Sequence, residues 1–109
     1  MGVHKTTLVP GDGVHFPKPG NTVVVHYIGT LENGRKFDSS RDRGEAFATR
    51  IGVGHVIKGW DKGIPLMSLG ERAILHISYD FGYGARGMPP IIPGLSNLIF
   101  DVELLEIRE

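Results

Sequence analysis

Cysteine is absent from the chain. Its absence excludes disulfides, thiolate nucleophiles and cysteine-held zinc. A small secreted domain usually leans on disulfides, so their lack favours a cytoplasmic protein. No apolar run approaches the ~20 residues that a membrane-spanning helix needs. The first residues also lack the basic-then-apolar pattern of a secretory leader. Met1-Gly2-Val3-His4-Lys5-Thr6 fits the loose pattern for N-myristoylation. No second membrane signal accompanies it, and one acyl chain anchors only marginally, so no membrane partner is expected. An excess of either charge is missing too: 12 basic residues balance 12 acidic ones. A neutral balance argues against nucleic acid or an anionic membrane as the main partner. At 109 residues, the chain has the size of a single domain, residues 1–109, with one modest core.

Glycine and proline, by contrast, are plentiful, with 16 and 7 copies that fall mostly between β-like runs. That pattern suggests antiparallel strands joined by tight turns. Val23 to Leu31 is the first strong strand, with Val23, Val25 and Tyr27 on one face. Asn33-Gly34 signals a hairpin, and Lys36 to Ser39 returns. Phe47 to Ile51 reads as a short strand. Glu71 to Tyr79 alternates, with Ala73, Leu75 and Ile77 inward. Asn97 to Ile107 closes the series with Phe100, Val102 and Leu104, and its other face carries Ile99, Leu105 and Ile107.

One segment breaks the alternation. From Val56 to Leu66, the spacing of Ile57, Trp60 and Ile64 fits a short helix, which Pro65 should end or occupy at its last turn. The fold class expected is therefore α+β: a curved antiparallel β-sheet wrapped around one short amphipathic α-helix. Asp80 to Ser96 forms a long Gly- and Pro-rich loop, a type that is often functional.

Several motifs have plain readings. Gly82-Tyr83-Gly84-Ala85-Arg86-Gly87 spells G-x-G-x-x-G. A dinucleotide site needs its last glycine to open a helix, whereas Met88-Pro89-Pro90 follows here and resists one. The glycines read instead as the means to a compact turn. The five histidines, His4, His15, His26, His55 and His76, show no paired metal spacing, and no metal or cofactor is expected. His26 and His76 fall on the solvated faces of their strands. Asp38 to Arg43 reads as a mixed-charge solvated turn. Tyr27, Phe37, Phe47, Trp60, Tyr83 and Phe100 fall on separate elements, several on inward faces, and composition alone favours a plain aromatic core over a binding site.

The order of these residues resembles the single-domain FKBP-type peptidyl-prolyl cis-trans isomerases from end to end. The matching stretches are Val25-His26-Tyr27, Gly34 to Ser40, Val56-Ile57-Lys58-Gly59-Trp60, Tyr83-Gly84-Ala85 and Leu98 to Leu105. The resemblance implies catalytic roles for Tyr27, Phe37, Asp38, Trp60, Tyr83 and Phe100. It implies substrate or drug contacts at Arg43, Phe47, Val56, Ile57, Met88, Ile91 and Ile92. Trp60 would form the floor under a prolyl or pipecolyl ring. The Ile57 N–H and the Tyr83 hydroxyl would donate to ligand carbonyls, and Asp38 would lie at the rim, oriented by Tyr27 and Arg43. Ala46, His55, Met88 and Pro90 stand at positions that vary in the family.

The implied activity is rotation about X-Pro bonds in an apolar pocket. That chemistry needs no nucleophile, because a resonance barrier of ~18–20 kcal/mol must be lowered and no bond is broken. The implied partners are proline-containing peptides and proteins, tacrolimus, rapamycin and, with tacrolimus bound, calcineurin. A module that grips prolines without turnover would use the same residues. Met88-Pro89-Pro90 further suggests a weak self-association in which the loop of one copy enters the pocket of another.

Overall fold

Side chains alternate between the faces of a strand, and the two longest alternating runs become neighbours at the centre of a six-stranded sheet. They are β2 (Thr22–Leu31) and β6 (Leu98–Arg108). The computed structural model describes residues 2–109. β1 (Val3–Val9) and β5 (Arg72–Ile77) extend the sheet beyond β6, while β3 (Lys36–Ser39) and β4 (Phe47–Arg50) both pair with β2. Every pairing is antiparallel. The strand boundaries fall within two residues of those expected. β1 is the exception, because none of its side chains is fully buried: Val3 and Lys5 are half-buried on one face, the rest are exposed, and the sequence carries no apolar alternation to read. The acylation pattern starts at Met1, outside the described residues. Within it, Gly2 is buried, and its N–H donates to Ser78 Oγ at 2.6 Å.

The β2 edge is forked. Residues Thr22–Val25 pair with β4, and residues Ile28–Thr30 pair with β3. His26 and Tyr27 lie at the fork, where no strand lies alongside. The fully buried Ser40 takes its place: its Oγ accepts from the Tyr27 N–H at 2.7 Å, donates to the Tyr27 carbonyl, and meets His26 Nδ1 at 2.9 Å. Buried backbone groups need partners, so a hydroxyl here replaces a strand. Ser40 opens a single helical turn, α1 (Ser40–Arg43), inside the stretch expected to be a solvated loop. Ser39 Oγ caps it by accepting from the Asp42 N–H, and a serine in that position favours the turn.

The helix begins later than its spacing suggests. α2 is Lys58–Gly63, and Ile57 precedes it with extended backbone. Pro65 lacks an N–H, and the chain tightens into a 3-10 turn at Ile64–Leu66, where the Met67 N–H reaches the Ile64 carbonyl at 2.9 Å. Glycine costs a helix about 1 kcal/mol relative to alanine, yet α2 carries two. At Gly59, an added Cβ would lie 2.5 Å from Ile77 Cγ2; at Gly63, 3.0 Å from Val3 Cγ2. The glycines therefore let the helix axis approach the sheet. Trp60, Ile64 and Met67 then meet Val23, Val25, Tyr27, Leu75, Ile77, Phe100 and Val102 in one core. On the other face of β6, Ile99 is half-buried and Leu105 is exposed; Ile107, expected beside them, instead pairs with the core residue Val23, because the β2–β6 register shifts between Val24 and Val25 and turns its side chain to the core.

Candidate functional site

Between the helix and the inner face of the sheet lies an open cavity of about 430 Å³. Its lining gathers Tyr27, Phe37, Asp38, Phe47, Val56, Ile57, Trp60, Tyr83 and Phe100, together with Gly54 and His55. The volume is in the range of small-ligand sites. Trp60 is buried beneath it, held edge-on by Tyr27 at 5.0 Å, Phe100 at 5.3 Å and Phe47 at 6.0 Å between ring centroids. Phe37 stands edge-on to Phe100 at 5.5 Å. Such T-shaped contacts satisfy ring quadrupoles and fix each ring's tilt. Among the described residues the buried Trp60 Nε1–H has no acceptor.

Tyr27, Asp38 and Arg43 form one hydrogen-bonded polar group at the cavity. The Tyr27 hydroxyl donates to Asp38 Oδ2 at 2.6 Å, Arg43 Nη1 donates to Asp38 Oδ1, and Arg43 Nη2 donates to the Tyr27 oxygen at 3.1 Å. Burial alone would raise the Asp38 carboxyl, but the bonds from Tyr27 and Arg43 outweigh it and hold the pKa below the ordinary carboxylate value. Asp38 is thus an anion at neutral pH, and it can accept protons but has none to give. Burial, then the bond to Asp38, pushes the Tyr27 phenol upward; burial, then the Asp38 charge, does the same at Tyr83. Both hydroxyls stay protonated and remain donors. Among the described residues, neither the Tyr83 hydroxyl nor the Ile57 N–H donates to a protein acceptor.

The loop from Gly52 to Ile57 forms one wall. Asp61, on α2, accepts from the Gly52 N–H at 2.7 Å and the Gly54 N–H at 2.9 Å. One carboxylate thereby ties the wall to the helix that carries the floor. Neither Asp61 nor Ser40 was singled out by the sequence reading. The spacing of Asp61 after two glycines was the available signal for the first. Nothing local announces the second, whose role comes from the fork in the sheet.

Four of the expected contact residues stand outside the cavity lining. Arg43 acts from behind Asp38. Met88 and Ile91 are half-exposed, and Ile92 is buried in the core. The reason is a tight turn: the Met88 and Ile92 backbones exchange hydrogen bonds at 2.8 and 2.9 Å. The turn drives Ile92 inward and leaves its neighbours outside. The glycines of the loop do serve compaction. A Cβ at Gly94 would sit 2.0 Å from the Ala85 carbonyl oxygen.

A family profile described as FKBP-type peptidyl-prolyl cis-trans isomerase matches residues 13–105. "FK506-binding protein 1" of Yarrowia lipolytica is 64% identical over 108 residues, covering 99% of this chain and 100% of the relative. "FK506-binding protein 1A" of Aspergillus fumigatus is 64% identical over 108 residues, 99% of this chain and 96% of the relative. A "Peptidyl-prolyl cis-trans isomerase" of Schizosaccharomyces pombe is 58% identical over 109 residues, 100% of this chain and 97% of the relative.

Proposed function

The chain belongs to the FKBP-type peptidyl-prolyl cis-trans isomerases, and we propose that the cavity over Trp60 is where the X-Pro bond of its substrate rotates. The reading rests on one observation: two residues with uncommitted donors, the Ile57 N–H and the Tyr83 hydroxyl, line a cavity floored by aromatic rings. A prolyl ring on Trp60 would bring its flanking carbonyls to those donors. The planar amide is the more polar form, and an apolar enclosure disfavours it relative to the twisted one. Only such a difference between ground and transition states accelerates rotation. Each ~1.4 kcal/mol of difference gives tenfold in rate. Asp38 contributes a fixed field at the rim and transfers no proton.

Tacrolimus and rapamycin are assigned to the same cavity. Two of the relatives carry FK506, which is tacrolimus, in their names. Arg43, the last residue of α1, and the exposed Met88, on the Gly- and Pro-rich loop, lie outside the cavity lining, on the surface assigned to calcineurin in a drug-dependent complex. The same tip, Met88-Pro89-Pro90, offers X-Pro bonds to a second copy and supports weak self-association. The cysteine-free composition supports a cytoplasmic location, and no helix among the described residues is long and apolar enough to cross a membrane.

The test is a tacrolimus titration followed by Trp60 fluorescence, then an isomerase assay with the drug present. The expected result is a saturable change in emission and loss of turnover at equal stoichiometry. Full turnover in the presence of saturating drug would place catalysis elsewhere.

A further inference from the structure

His4 and His76 are separated by 72 positions in the sequence, yet they are direct partners in the register of β1 and β5. Both side chains are exposed, and their ring centroids are 5.9 Å apart at an interplanar angle of 52°. Of the other histidines, His15 is bonded to Asp12 and His26 to Ser40. His4 and His76 make no side-chain hydrogen bond among the described residues, so their ring nitrogens are uncommitted. The two rings line a groove of about 280 Å³ that also contains Glu32 and Asn97.

We propose that His4 and His76 form a two-imidazole chelate for a divalent ion of the zinc, copper and nickel class. Imidazole suits those ions. With metal–nitrogen bonds of about 2.0–2.1 Å, two rings sharing a tetrahedral ion have centroids roughly 5.2 Å apart. The observed 5.9 Å is closed by small rotations of two exposed side chains. Cross-strand partners are held at near-fixed spacing by the ladder, so little ordering is needed. No third His, Cys, Asp or Glu completes a three-residue set among the described residues. Water fills the remaining positions, which makes this a surface site and not a closed structural one. The ion would clamp β1, an edge strand paired only with β5, to the rest of the sheet. Because the pair exists only when the strands are aligned, binding favours the folded state.

The experiment is calorimetric titration of the untagged full chain with zinc chloride, repeated on His4→Gln, His76→Gln and a His15→Gln control. Circular dichroism confirms folding of each variant. The expected result is one ion per chain, an affinity at least tenfold lower in both His4→Gln and His76→Gln, and no change in His15→Gln. A melting temperature raised by zinc in the parent chain and not in either of those two variants would agree. Affinity unchanged in both variants overturns the proposal, and so does loss in only one of them, since a chelate needs both rings.

Discussion

Removing the Phe37 ring tests whether the apolar enclosure or the Asp38 charge dominates catalysis. Phe37 is half-buried and meets Phe100 edge-on at 5.5 Å. Full burial would make Phe→Ala cost about 3–5 kcal/mol, and half-burial brings this to roughly 2 kcal/mol. The variant should therefore remain folded at 25 °C. The opening left in the wall admits water beside the rotating amide. If that forfeits about 1.5–3 kcal/mol of differential stabilisation, kcat/KM falls roughly 10–100-fold. Asp38→Ala removes a rim carboxylate that is 39% exposed and paired to an Arg43 that is 51% exposed. Arg43 can turn to water, so the loss should stay within about fivefold. The assay is NMR exchange or protease-coupled isomerisation of an X-Pro peptide below KM, with urea unfolding run on the same samples. A folded Asp38→Ala enzyme that is slower than Phe37→Ala would refute the argument and make the rim charge the larger effect.

Ser40→Ala should leave the buried Tyr27 N–H unpaired and cost about 1–3 kcal/mol, read by urea unfolding and by faster amide exchange at Tyr27; unchanged exchange there would contradict the role assigned to the fork. Gly59→Ala drives a Cβ to 2.5 Å from Ile77 and should destabilise by about 1–3 kcal/mol, with a shift in Trp60 emission as α2 is lifted; an unaltered urea midpoint would count against close helix approach. Burial would raise the Glu71 carboxyl, but hydrogen bonds from Lys5, the Ser68 N–H and Thr7 outweigh it and hold it below its ordinary value. Its contribution is complete above the unfolded carboxylate pKa of about 4.3 and is lost as pH falls through the lower native value. Glu71→Ala should therefore cost about 2–3 kcal/mol near neutral pH, with the gap to the parent chain narrowing toward about pH 3 in paired denaturation curves; a pH-independent gap would rule this out.

Legibility of the fold followed burial. β2, β5 and β6 could be read because one face of each is sealed against Trp60 and Ile64, which forces period-two alternation. β1 could not, since only Val3 and Lys5, on one face, are even half-buried and its existence depends on a free edge at β5. The apolar spacing sets the start of α2 too early, because Ile57 shares the apolar stripe while its backbone is extended. The cavity's rings were legible as separate aromatic residues, and their convergence became an expectation only through the family resemblance. Ser40, Asp61 and the His4–His76 pair depend on which strands lie side by side, which no local window encodes.

The position of β6 has a consequence for biosynthesis. It is hydrogen-bonded to β2 along one edge and to β5 along the other, and it brings Phe100 to the cavity. A ribosome delivers the N-terminal elements first, at roughly 5–20 residues per second. Until Leu98–Arg108 emerges, the β1–β5 pair and the β2–β3–β4 cluster have no strand to join them. All seven prolines of the chain precede that strand. A nascent copy therefore carries every one of its prolyl bonds before Phe100 can complete the cavity, so those bonds face the first stages of folding without a finished pocket in the same molecule.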